Sequence, residues 1–202
     1  MQPQNIKIII IKKFIFFTSV LLLFVNAISI NTKLKENNTK AYPEFLEYNI
    51  PYLQNNFVAF KQALAFKESQ GNYTVINTLG YLGKYQFGRT TLERFEIYDT
   101  EGFLQDPELQ ERAFTALCKV NKWILRKDIK RSVGKTINGI EITESGILAA
   151  AHLGGAGNVK KFLRSNGTET FSDAYGSSIQ VYLKKFAGYD VSNIVADRKA
   201  QA

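Results

Sequence analysis

The sequence predicts a mainly helical domain with a minor β-hairpin element. Three observations lead to this. Apolar residues recur at helical spacing in several runs, beginning with Phe57, Phe60 and Leu64. Capping and stop signals bracket those runs. Strand signals are few and gather around Asn138-Gly139, a dipeptide suited to a tight hairpin turn.

Taken in order, the first helix is expected from about Pro51 to Gln70, ended by Gly71-Asn72. The segment Tyr73-Thr74-Val75-Ile76 reads as extended. Thr90 with Glu93 forms a capping-box pattern for a short helix that ends near Ile97. Asp106-Pro107-Glu108 places a capping side chain before a proline at the first helical position. It opens a long helix that is expected through Trp123. Thr136-Ile137 and Ile140-Glu141-Ile142 flank the hairpin turn. A further helix opens at Thr143, another covers Asn158 to Arg164 and stops at Asn166-Gly167, and the last spans about Ser177 to Ala187 before Gly188.

The chain has 202 residues, 45% of them hydrophobic and 22% charged, which excludes a disordered chain and suits one domain with a real core. Residues 1–27 read as an export signal: Lys7, Lys12 and Lys13 precede an apolar run from Phe14 to Val25, and Ala27 supplies the small residue for cleavage. The competing reading is an uncleaved membrane anchor. In both cases the domain is expected outside the cytoplasm, periplasmic or secreted. Residues 28–42 read as a polar linker, 43–190 as the folded domain and 191–202 as a loosely held tail.

The net charge is +8, and the chain beyond the first 30 residues retains 23 basic and 18 acidic residues, or +5. That balance suits a polyanionic partner such as a cell wall, a nucleic acid or a membrane surface. The lack of a dense basic cluster with interleaved aromatics argues against nucleic acid. The single cysteine, Cys118, excludes an internal disulfide and reads as a core residue. No Cys/His cluster has metal-ligand spacing, and the Gly154-Gly155-Ala156-Gly157 cluster lacks the ending of a phosphate loop, so neither metal nor cofactor is expected.

Chemistry concentrates in three segments. Glu68 is the next position on the apolar stripe, four residues after Leu64 and in the last turn of its helix. Burial and the negative end of the helix dipole both favour the protonated carboxyl that a proton donor needs. Gly80 to Gly88 is glycine-punctuated and aromatic-rich, with Tyr85 and Gln86 as side chains able to contact a sugar. Ala151-His152-Leu153-Gly154 leads into a glycine-rich join between helices, and its tail could present backbone N–H groups. His152, the only histidine, has no Ser or Cys partner pattern that would make it part of a triad.

Together and in this order, these segments resemble the lytic transglycosylase branch of the lysozyme-like superfamily. Glu68-Ser69 matches its Glu-Ser pair. Leu82-Gly83-Lys84-Tyr85-Gln86-Phe87 resembles its Gly-Leu-Met-Gln-type motif, with Gln86 at the glutamine. Ala151 to Gly157 is similar to its Ala-Tyr-Asn-Ala-Gly-type motif, and Tyr182 stands where a fourth motif has its tyrosine. The resemblance covers about Phe57 to Asp190. The chain departs from it at Tyr85 (methionine in the motif), His152 (tyrosine) and Leu153 (asparagine).

The resemblance implies an α+β lysozyme-like fold and cleavage of the MurNAc-GlcNAc β-1,4 bond of peptidoglycan. Glu68 would be the single acid/base, the product would be a 1,6-anhydro sugar, and Ser69, Tyr85, Gln86, His152, Gly154 and Tyr182 would contact substrate. No Asp or Glu occurs from Ser69 to Leu92, where many lysozymes place a second carboxylate, so one-acid chemistry is the expectation. Glu93, Glu96, Asp99, Glu141 and Glu144 are the later candidates. The alternatives are a muramidase that hydrolyses the same bond and a non-catalytic peptidoglycan-binding module. The expected partners are glycan strands, with no nucleic acid and with membrane contact only through an N-terminal anchor. A monomer is expected.

Overall fold

The computed structural model describes residues 55–202. The expected export signal, the expected linker, the expected start of the domain and residues 51–54 of the expected first helix lie outside the described residues. Within them the chain is mainly helical with one two-stranded antiparallel hairpin.

The elements are α1 (Phe57–Ser69), α2 (Arg89–Glu93), α3 (Thr100–Gln105), α4 (Pro107–Ser132), β1 (Thr136–Ile137), β2 (Ile140–Glu141), α5 (Glu144–Arg164) and α6 (Ile179–Lys185). The caps explain most boundaries. Asn56, Asp99, Asp106, Thr143 and Ser178 each accept a backbone N–H of the first turn of the helix they precede. The expected Thr90–Glu93 box does not form. Gly88 precedes α2 without a side-chain cap, and Thr90 lies inside the helix.

Two expectations are corrected by packing. The α4 helix continues past Trp123 to Ser132, because Leu125 and Asp128 are buried rather than solvated. Asp128 accepts from Arg164 of α5 at 2.9 and 3.2 Å and also from Arg131. Burial works against its charge, but the two guanidinium groups outweigh it and hold the carboxyl below its ordinary range. The two helices expected from Thr143 and Asn158 are both present and are taken together as α5, with the join at Gly155 kept non-helical (φ +76, ψ 154). Residues 191–202 are not a loose tail: Val191 and Ile194 are buried in the main core, Lys122 Nζ donates to the Val191 carbonyl and Asp197 N–H to the Lys119 carbonyl.

The core lies between α1, α4, α5 and α6. Phe57, Phe60 and Phe114 stack there, and Phe186 meets Phe60 edge-on at 6.3 Å. The run Ile147-Leu148-Ala149-Ala150-Ala151 of α5 is buried on every side, so α5 runs through the centre, and its small alanines let neighbours pack closely. Cys118 is buried there too, and burial pushes its thiol well above the usual range. Among the described residues no helix is long and apolar enough to cross a membrane.

Candidate active site

The Phe60–Phe186 contact positions the site. Glu68 stands eight residues after Phe60 on α1, and Tyr182 four residues before Phe186 on α6, so each lies on the same helical face as the phenylalanine it follows or precedes. The two side chains meet at the end of that shared seam, where the Tyr182 hydroxyl donates to Glu68 Oε1 at 2.6 Å. Glu68 is half-buried, so the apolar stripe of α1 ends in a carboxyl at the edge of the core. Tyr182 is buried. Burial, and then the neighbouring charge of Glu68, push its hydroxyl far above the usual range, so it stays a proton donor to that carboxyl.

The loop between α1 and α2 forms the facing wall. Leu82 pairs with Ile76 and with Phe87, which folds the loop back on itself. Gly83 sits at φ +71, and a Cβ there would come within 2.2 Å of Gln110 Oε1, so only glycine fits. That close approach lets the buried Gln110 accept from Lys84 N–H at 2.9 Å while it donates to the Tyr73 and Phe103 carbonyls. Below it, Glu111 binds Lys61 at 2.6 Å, Lys84 at 2.7 Å and the hydroxyls of Tyr73 and Tyr85. Burial opposes its charge, but the donors from Lys61, Lys84 and Tyr85 outweigh it and lower the Glu111 carboxyl to about 2.

This network corrects the expectation for Tyr85. Its ring is fully buried and stacks on Phe114 at 4.1 Å, and its hydroxyl is held by Glu111, so it is a core residue that anchors the loop. Ser69 has a similar anchoring part: its hydroxyl donates to the Lys84 carbonyl at 2.8 Å and accepts from Asn72 N–H. Gln86, the next residue after Tyr85, does reach the cleft. Its Nε2 donates to the Gly83 carbonyl at 2.9 Å, which leaves the amide oxygen for a ligand.

The α5 segment closes the third side. His152 Nε2 lies 2.8 Å from the Tyr85 carbonyl. A carbonyl only accepts, so Nε2 carries the proton, and His152 braces the same loop from behind. Its ring meets Phe87 and Phe114 edge-on, and it also lines the cleft. Gly154 is not in the cleft wall. A Cβ there would lie 2.8 Å from the Phe171 ring, so Gly154 gives room for Phe171, which is in the wall. Gly155 is non-helical, at φ +76 and ψ 154, so helix starts anew after it.

Two cavities, of about 300 and 490 Å³, share Glu68, Gln86 and Asp173. A third, of about 470 Å³, adjoins the first through Tyr81, Gln86, His152 and Leu153 and contains Arg89. The exposed Tyr81 ring and the half-buried Phe171 ring offer flat faces beside Glu68.

Asp173 is the residue that sequence reasoning missed. None of Glu93, Glu96, Asp99, Glu141 or Glu144 lines either cavity with Glu68, whereas Asp173 lines both. Its Oδ1 accepts from Tyr175 and Ser177 N–H at 3.0 and 2.7 Å, a local turn that sequence alone reads as structural. Only the return of the chain from α5 to α6 brings it over α1. Comparison with protein-family models, with curated proteins and with solved structures finds no match.

Proposed function

We propose that this protein cleaves the glycan strands of peptidoglycan as a lytic transglycosylase, with Glu68 as its acid and base. The observation that carries the reading is the Glu68–Tyr182 pair at 2.6 Å, at the junction of two cavities. A carboxyl whose Oε1 accepts from a buried hydroxyl keeps Oε2 for the transferred proton. In the reaction, Glu68 donates that proton to the glycosidic oxygen as its bond to C1 breaks. The muramic acid C6 hydroxyl then attacks C1 and returns its proton to Glu68, which gives the 1,6-anhydro product and restores the enzyme. Gln86 hydrogen-bonds the acetamido or hydroxyl groups, and Tyr81 and Phe171 stack on sugar faces. Export through residues 1–27 delivers the enzyme, as a monomer, to that polymer.

The deciding test is release of soluble fragments from purified sacculi. Glu68→Gln is expected to abolish it, and clearance at the wild-type rate would refute the assignment. Asp173 favours a second reading, hydrolysis, in which it orients a water at C1. Mass spectrometry of the released muropeptides separates the two, since hydrolysed ends are one water heavier than anhydro ends. On the lyase reading Asp173→Asn retains activity and anhydro ends; loss of water-bearing products in that variant supports hydrolysis.

A further inference from the structure

We propose that Thr78 and Tyr175 form a strap across the Glu68 groove, so that long glycan strands enter it mainly from an end. The inference rests on the glycan-cleaving reading above. The two hydroxyls lie 2.6 Å apart, a full O–H···O hydrogen bond, although the residues are 97 positions apart in the chain. One belongs to the loop between α1 and α2, the other to the turn before α6, and both line the 490 Å³ cavity together with Glu68. Each end is braced. Asn77 Oδ1 accepts from Leu79 and Tyr81 N–H at 2.9 and 3.0 Å, and Asp173 Oδ1 accepts from Tyr175 and Ser177 N–H.

The cavities show what the strap borders. Tyr175 lines both the 300 and the 490 Å³ cavities, as do Glu68 and Gln86, whereas Thr78 lines only the second. His152 and Phe171 line only the first, and Lys67 and Tyr182 only the second. Glu68 is therefore reached through two adjoining cavities, and the Thr78–Tyr175 bond joins two walls of the second. A short oligosaccharide slides in through either cavity. A long strand arriving from the side must wait for the bond to break. The bond is neutral and solvent-exposed, with Tyr175 59% exposed, so it is a weak latch that slows side entry about fivefold and does not forbid it.

The test uses Glu68→Gln protein as a binding form, with two ligands: a tetrasaccharide of alternating GlcNAc and MurNAc, and a long uncrosslinked strand of the same polymer. Adding Thr78→Val or Tyr175→Phe is expected to raise the ratio of long-strand to tetrasaccharide association rates about fivefold. The two together should give no more than either alone, because both remove one bond. In otherwise wild-type protein the same changes shift early products from short end fragments toward internal cuts of mixed length. Intact binding with an unchanged ratio overturns the strap and leaves the glycan reading standing. No binding of either ligand overturns both.

Discussion

At the scale of single residues, Glu68 depends on Tyr182 remaining a donor. Burial and the charge of Glu68 both push the Tyr182 hydroxyl upward, so it does not ionise in any working pH range. Tyr182→Phe removes the donor and keeps the ring that packs on Phe186 at 5.2 Å. A hydrogen bond to a charged group contributes about 1.5–3 kcal/mol, roughly 10- to 100-fold. Steady-state kinetics on glycan should show kcat falling by that factor with KM close to wild type, and an unchanged kcat would remove Tyr182 from the chemistry. Neighbouring residues in one loop can have opposite fates. Tyr85 is fully buried on Phe114, while Gln86 lines the cleft.

At the scale of elements, the Phe60–Phe186 contact ties α1 to the end of α6, next to the Glu68–Tyr182 pair. Phe60 is fully buried against Phe57, Phe114, Phe186 and Tyr189. Phe60→Ala leaves a cavity and should destabilise the fold by about 3–5 kcal/mol in a urea titration. It should also lower activity well below its unfolding transition, because the Glu68–Tyr182 pair loses the packing that aligns it. Activity that tracked the folded fraction alone would show that the pair aligns without that contact.

At the scale of the whole molecule, the Glu111 network joins α1, the facing loop and α4. The Glu111 carboxyl titrates near 2 in the folded protein against an ordinary 4.5. A lowered folded value means stability that is fully present above about pH 4.5 and lost as the pH falls through about 2. Glu111→Gln should therefore be less stable than wild type at pH 7, with the buried Lys84 left unpaired, and the gap in melting temperature should close toward pH 2. A gap that is constant with pH would exclude ionisation as its source. The C-terminal residues belong to the same scale. A chain ended at Asp190 exposes core around Val191 and Ile194 and should lose roughly 3 kcal/mol or more of stability. An unchanged denaturation midpoint would show residues 191–202 to be dispensable.

The sequence by itself determined the helical class, the hairpin at Asn138–Gly139, the helix starts at Asp106 and Thr143, and the placing of Glu68 at the end of a core-facing stripe. These are local properties: periodicity, caps and turn chemistry act over a few residues. Tertiary structure alone decided the rest. It extended α4 past Trp123 through the Asp128–Arg164 pair, buried Tyr85 but not Gln86, docked residues 191–202, and brought Asp173 and Tyr175 across Glu68. In each case the partner lies tens of residues away in the chain, and burial or pairing at that distance leaves no periodic mark in the local sequence. Glu68 was legible because its helix records which face is buried. Asp173 was not, because its backbone turn is satisfied locally and would look the same far from any site.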